Sequence, residues 1–98
     1  MKRLLSIAAL LLATSTGSFA SDPAKVKIGI LLPLTGTFAA VAETQRDGAL
    51  LAIDVINKRG GLNMPSGKTL LEGVVQDDEA KQDVGVRRYR YMVEEGVK

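Results

Sequence analysis

The sequence predicts an α/β fold in which a parallel sheet carries helices on both faces, giving three layers. Three observations carry this expectation. The run KVKIGILL, Lys25 to Leu32, begins in alternation and ends apolar on both sides, as strands buried on both faces do. From about Ala39 to Lys58 the apolar pattern switches to helical spacing. A second strand-like run and a second helical run then follow, and the order strand, helix, strand, helix implies parallel strands joined by right-handed crossovers.

Residues 1–20 are expected to lie outside the fold. Lys2 and Arg3 precede the apolar run Leu4–Ala13, and Ser18 and Ala20 occupy the small-residue positions of a signal-peptidase site. The apolar run is shorter than the roughly 20 residues a membrane-spanning helix needs, so cleavage after Ala20 is expected in preference to a retained anchor. With no Cys in the chain, lipid attachment at that site is excluded. Lys2 and Arg3 account for the whole formal excess of +2, and the chain from Ser21 onward is balanced. A nucleic-acid partner therefore loses its electrostatic support. The one basic cluster, Arg87, Arg88 and Arg90, reads as a solvated helix face.

Within the folded part, Pro33 lacks the N–H a ladder requires and ends the first strand, and Leu34–Thr37 is loop. In the first helix, Val41, Gly48, Leu51, Ala52, Val55 and Ile56 share one side, with Ala49 and Ile53 beside them. Gly48 and the alanines are expected to let this helix lie close to the sheet. Lys58 and Arg59 suit the negative end of the helix dipole, and Gly60–Gly61 supplies a left-handed cap. LNMPSGKT reads as a turn-rich connection. Lys68–Gln76 reads as the second strand, and Gln82–Glu95 as the second helix, with Val86, Tyr89, Met92 and Val93 on its apolar face. Gly96 reads as a C-cap and Val97 as the start of a third strand. A parallel sheet of two strands leaves open edges, so the chain reads as the first part of a longer, truncated α/β domain.

Few chemistries are available to it. With neither His nor Cys, the common zinc sets and base–nucleophile pairs are missing, and no metal or catalytic residue is expected. The turn after the first strand holds a single glycine, Gly36, where a dinucleotide fingerprint needs three, and the P-loop pattern is absent from it. The tripeptide Gly67-Lys68-Thr69 precedes a strand and not a helix, so it is a chance match. A threonine-bearing turn of flavodoxin type has little support in an exported chain, and no cofactor is expected. Asp77 and Asp78, being adjacent, point to opposite sides of an extended segment and read as a strand end or helix start. The loop Pro33–Ala40 lies where open α/β sheets gather ligands, outside the carboxyl end of a strand.

Taken in order, I-G-x-L-x-P-L-T-G at Ile28–Gly36, G-A-x-L-A-I at Gly48–Ile53, I-N-x-x-G-G at Ile56–Gly61, D-D at Asp77–Asp78 and E-E-G-V at Glu94–Val97 resemble the N-terminal region of the branched-chain amino-acid-binding (leucine-binding) type of periplasmic solute-binding protein. No single motif is specific; the ordered set is. The resemblance implies the start of a type I periplasmic-binding-protein lobe, with two lobes in the whole protein closing over a solute. It implies a receptor for an ABC importer, partnered by the importer's membrane subunits, with no catalysis of its own. Carried onto this sequence, it places Thr35, Gly36, Thr37, Phe38 and Ala39 on the lip of the pocket, where hydroxyls and amides can meet an amino acid's carboxylate. Val41 stands where an aromatic residue is common in the family, and Ala42 where glycine is usual. These departures leave amides, urea-like solutes and aromatic acids open beside amino acids. Two other functions share the pattern: a ligand-sensing domain of the same fold, and a small interaction protein that pairs its open strands with a partner.

Overall fold

The computed structural model describes residues 25–98; the expected signal segment and its cleavage site lie outside them. The elements run β1 (Lys25–Leu32), α1 (Ala39–Lys58), β2 (Leu62–Met64), β3 (Gly67–Asp77) and α2 (Gln82–Glu94). β1 and β3 pair in parallel without a slip, from Lys25 opposite Leu70 to Leu32 opposite Asp77. This is the parallel strand–helix–strand unit expected, and the bounds of α1 are those read from its periodicity.

The connection read as a turn is in fact a hairpin. Leu62, Asn63 and Met64 pair antiparallel with Thr69, Lys68 and Gly67 around Pro65–Ser66, so the sheet is mixed, in the order β1-β3-β2. A three-residue strand carries too little alternation to be legible, and its turn residues dominate the local pattern.

The two helices take opposite faces of the sheet. On one face, a Cβ at Gly73 would stand 2.8 Å from Leu50 Cδ2 and 3.2 Å from Ile53 Cδ1, so α1 rests on this missing side chain. On the other, a Cβ at Gly29 would meet Met92 Sδ at 3.1 Å, which places α2 there. Ile30, Ala42 and Leu71 are buried on the α1 side, and Val84 and Met92 are the buried residues of α2.

The rotation of α1 differs from the one expected. Ala42 is 1 % exposed and Ala49, Ile53 and Ile56 are half-buried, whereas Val41 and Leu51 are each 63 % exposed, and Gly48, Ala52 and Val55 lie outward with them. Gly48 faces open space and plays no part in the close approach, which Gly73 of the strand provides. The helix carries two adjacent apolar stripes, and period alone cannot choose between them. Asn57 chooses: its Nδ2 donates to the Leu71 carbonyl (2.7 Å) and its Oδ1 accepts from the Leu71 N–H (2.8 Å). β2 has already ended at that point of the β3 edge, so the side chain replaces a missing strand. In α2 a similar correction applies. Val84 joins Met92 on the buried line, two helical turns apart, while Val86, Tyr89 and Val93 are exposed.

Both helix ends follow the glycine reading. Gly61 N–H reaches Ile56 O and Gly60 N–H reaches Asn57 O, and at α2 Val97 N–H reaches Met92 O and Gly96 N–H reaches Val93 O. These are Schellman pairs. Beyond Gly96, Lys98 donates to Lys27 O (2.7 Å) and its carbonyl accepts from Gly29 N–H (2.8 Å). That alternation is the parallel pattern, so the chain begins a second parallel pairing, on the free edge of β1, as Val97 suggested. Among the described residues no helix is long and apolar enough to cross a membrane.

Candidate functional site

Because Leu32 and Asp77 are register partners, the loops leaving β1 and β3 emerge side by side at one end of the sheet. This is the end at which α/β folds hold ligands. The β1–α1 loop holds the five residues the resemblance carries over. Thr35, Gly36, Thr37 and Phe38 are exposed, and Ala39, the first residue of α1, is half-buried. Gly36 has φ +89°, a left-handed conformation that glycine adopts without strain, and the space where a Cβ would sit is open. Phe38 is the N-cap of α1 and makes no side-chain cap; the first helical N–H, that of Ala39, is taken by the Gly36 carbonyl (3.2 Å), and those of Ala40 and Val41 come next at this loop.

The loop is tied down from the neighbouring strand end. Asp77 Oδ1 accepts from the Leu34 N–H (2.9 Å) and Oδ2 accepts from the Thr35 hydroxyl (2.8 Å). The same Oδ1 accepts from the Glu79 N–H (2.8 Å). This last bond, followed by those from Thr35 and Leu34, holds the Asp77 carboxyl below its ordinary value of 3.8, against partial desolvation that pushes it up. Asp78 adds a second Asx turn, accepting from Ala80 N–H at 2.8 Å, and its own N–H continues the ladder to Leu32 O. Between them Glu79 and Ala80 adopt φ of 56° and 54°, a left-handed pair that costs non-glycine residues about 1 kcal/mol or more each.

Asp77 thus ends its strand, as read. Its carboxylate also braces the loop across the gap, a role the sequence reading missed. The signal available was its placement: a carboxylate at the carboxyl end of the strand beside the one that leads into the threonine loop. Neither aspartate caps α2, whose N-cap is Lys81. The basic cluster is solvated as expected, with Arg87 paired to Asp83 at 3.0 Å on the helix surface. Among the described residues no group of three acidic side chains could hold a metal ion.

Two concavities of the described residues are lined by residues outside this loop. One of about 300 Å³ runs along α2 between Glu79, Val84, Arg87, Arg88 and Tyr91. An apolar one of about 390 Å³ lies on the sheet, lined by Val26, Ile28, Leu62, Met64, Leu71 and the stem of Lys98 among others.

The described residues thus form the start of a three-layer α/β unit with two loops side by side at its strand ends. The profile of the Periplasmic binding protein family matches residues 25–98, and the chain belongs to that family. It is 35 % identical to the Pseudomonas aeruginosa leucine-, isoleucine-, valine-, threonine-, and alanine-binding protein, over 99 % of this chain and 25 % of the relative. It is 36 % identical to the Leu/Ile/Val-binding protein BraC3 of Rhizobium johnstonii, over 90 % of this chain and 24 % of the relative. With Leu/Ile/Val-binding protein homolog 3 of Brucella melitensis the identity is 34 % over the whole chain and 25 % of the relative. The chain spans about a quarter of the length of these relatives, and the resemblance read from its ordered motifs is that of its family.

Proposed function

We propose that this chain contributes one wall of the solute cleft in the receptor of an ABC importer, binding a branched-chain or other small amino acid without catalysis. The observation that carries the reading is the loop Thr35–Ala39 standing at the carboxyl ends of both parallel strands in a chain whose relatives are named for leucine, isoleucine and valine binding. Thr35, Gly36, Thr37, Phe38 and Ala39 form the lip. Backbone N–H groups at the start of α1, together with the Thr37 hydroxyl, suit a carboxylate, and exposed Phe38 and Val41 suit an apolar side chain. A second lobe supplies the opposite wall, and the importer's membrane subunits receive the loaded protein. Residues 1–20 direct export to the periplasm and leave by cleavage after Ala20.

The test is titration calorimetry on the protein as its host secretes it, with leucine, isoleucine, valine, threonine and alanine. Saturable binding of at least one is expected, and Thr37→Val should weaken it with the melting temperature unchanged. Absence of heat with all five, or full affinity in Thr37→Val and Gly36→Val alike, would remove this assignment of the loop.

A further inference from the structure

An ionised carboxylate offers about four lone-pair sites, and three of those on Asp77 are occupied by two loops. Oδ1 holds Leu34 N–H and Glu79 N–H, and Oδ2 holds the Thr35 hydroxyl. Leu34 and Thr35 are more than forty residues from Asp77 in sequence, so the contact is a tertiary brace. It grips the two residues immediately before Gly36, whose left-handed conformation turns the chain into α1. The geometry of the lip therefore depends on a residue outside it. The hydroxyl proton of Thr35 is also spent: with its one O–H directed at Oδ2, Thr35 can accept from a solute but has no hydrogen to donate to one.

We propose that Asp77 is a positioning residue for the solute site. Its carboxylate sets the 33–38 loop in the binding conformation, and Thr35 serves that brace in place of donating to the solute. This rests on the solute-receptor reading above and reassigns one of its five lip residues. Direct donors to a solute carboxylate are then the Thr37 hydroxyl and the backbone N–H groups that follow Gly36, save that of Ala39, which the Gly36 carbonyl holds (3.2 Å).

The variants Asp77→Ala, Thr35→Val, Thr35→Ser and the double variant Asp77→Ala/Thr35→Val separate bracing from direct contact, measured in the protein as its host secretes it with leucine as the probe. Loss of a charge-assisted hydrogen bond that orders the loop should loosen leucine binding about tenfold in Asp77→Ala and in Thr35→Val. Thr35→Ser, which keeps the hydroxyl, should bind as the unmodified protein does. The double variant should be no weaker than Asp77→Ala, because both changes break one brace. Binding is expressed per folded molecule and the unliganded melting temperature is followed alongside. Unchanged affinity in Asp77→Ala, or losses in the two single variants that add in the double, would overturn the proposal. Should the unmodified protein bind none of the five amino acids, the receptor reading fails and the solute role of Asp77 falls with it. Amide exchange at Leu34 and Glu79 then decides the brace alone: faster exchange in Asp77→Ala upholds it, and unchanged exchange ends it.

Discussion

Asn57→Ala offers the sharpest test of how α1 is locked to the sheet. Asn57 makes two hydrogen bonds, at 2.7 and 2.8 Å, to the carbonyl and N–H of Leu71. Leu71 is 8 % exposed, and β2 does not cover that edge beyond Leu62, which pairs with Thr69. An ordinary hydrogen bond contributes about 1 kcal/mol net, and a buried group left unpaired costs about 1–3 kcal/mol. The two bonds are partly buried, so water can reach some of what the alanine uncovers, and a loss of about 2 kcal/mol is expected. Asn57→Asp keeps the acceptor for the Leu71 N–H and sets a carboxylate against its carbonyl, so it should recover less than half of that. Urea unfolding should show a lower midpoint at constant slope, and the Leu71 amide should exchange faster by a factor matching the stability change. If Asn57→Ala loses less than about 0.5 kcal/mol, the size of an ordinary surface effect, or if Leu71 exchange does not change, the helix is held by apolar packing and the lock is wrong.

Two glycines should respond with opposite signs. Gly48 sits inside α1 facing open space, so Gly48→Ala should raise stability by about 0.5–1 kcal/mol. At Gly61, φ is +94° and an added Cβ would run into the Thr69 backbone, so Gly61→Ala should lower it by about 2 kcal/mol or more; chemical unfolding of the pair distinguishes the two. The pH dependence of the loop follows from Asp77, whose folded value is depressed. Its contribution is complete above the ordinary value of 3.8 and is lost as pH falls below it through the depressed folded value. Leu34 amide protection should therefore be independent of this group at neutral pH and fail only in acid; a break above about pH 5 would contradict the assignment.

Much of this protein was legible in its residues because the deciding interactions are local. The bounds of α1, the glycine caps at Gly60–Gly61 and Gly96, and the proline that ends β1 depend on neighbours within a turn or two. Backbone sterics and helix-end hydrogen bonds act at that range. The parallel pairing of β1 with β3 followed from alternation of elements, since a helical crossover leaves few other arrangements. The ordered motifs likewise carried the family, and the position of the threonine loop came with the fold.

Tertiary structure decided the rest. α1 bears two apolar stripes, and the one that meets the sheet was selected by Asn57 and by the absence of a side chain at Gly73, neither of which is visible in the helix's own period. The hairpin strand Leu62–Met64 owes its structure to backbone pairing with Gly67–Thr69 and not to its side chains. Asp77 looked like a strand terminator. It became the anchor of the candidate site only when parallel register set Leu32 beside it and brought Leu34 and Thr35 within hydrogen-bonding reach. A sequence specifies which groups can bond; which of them meet across forty residues depends on the register of a sheet, a property of the assembled chain alone.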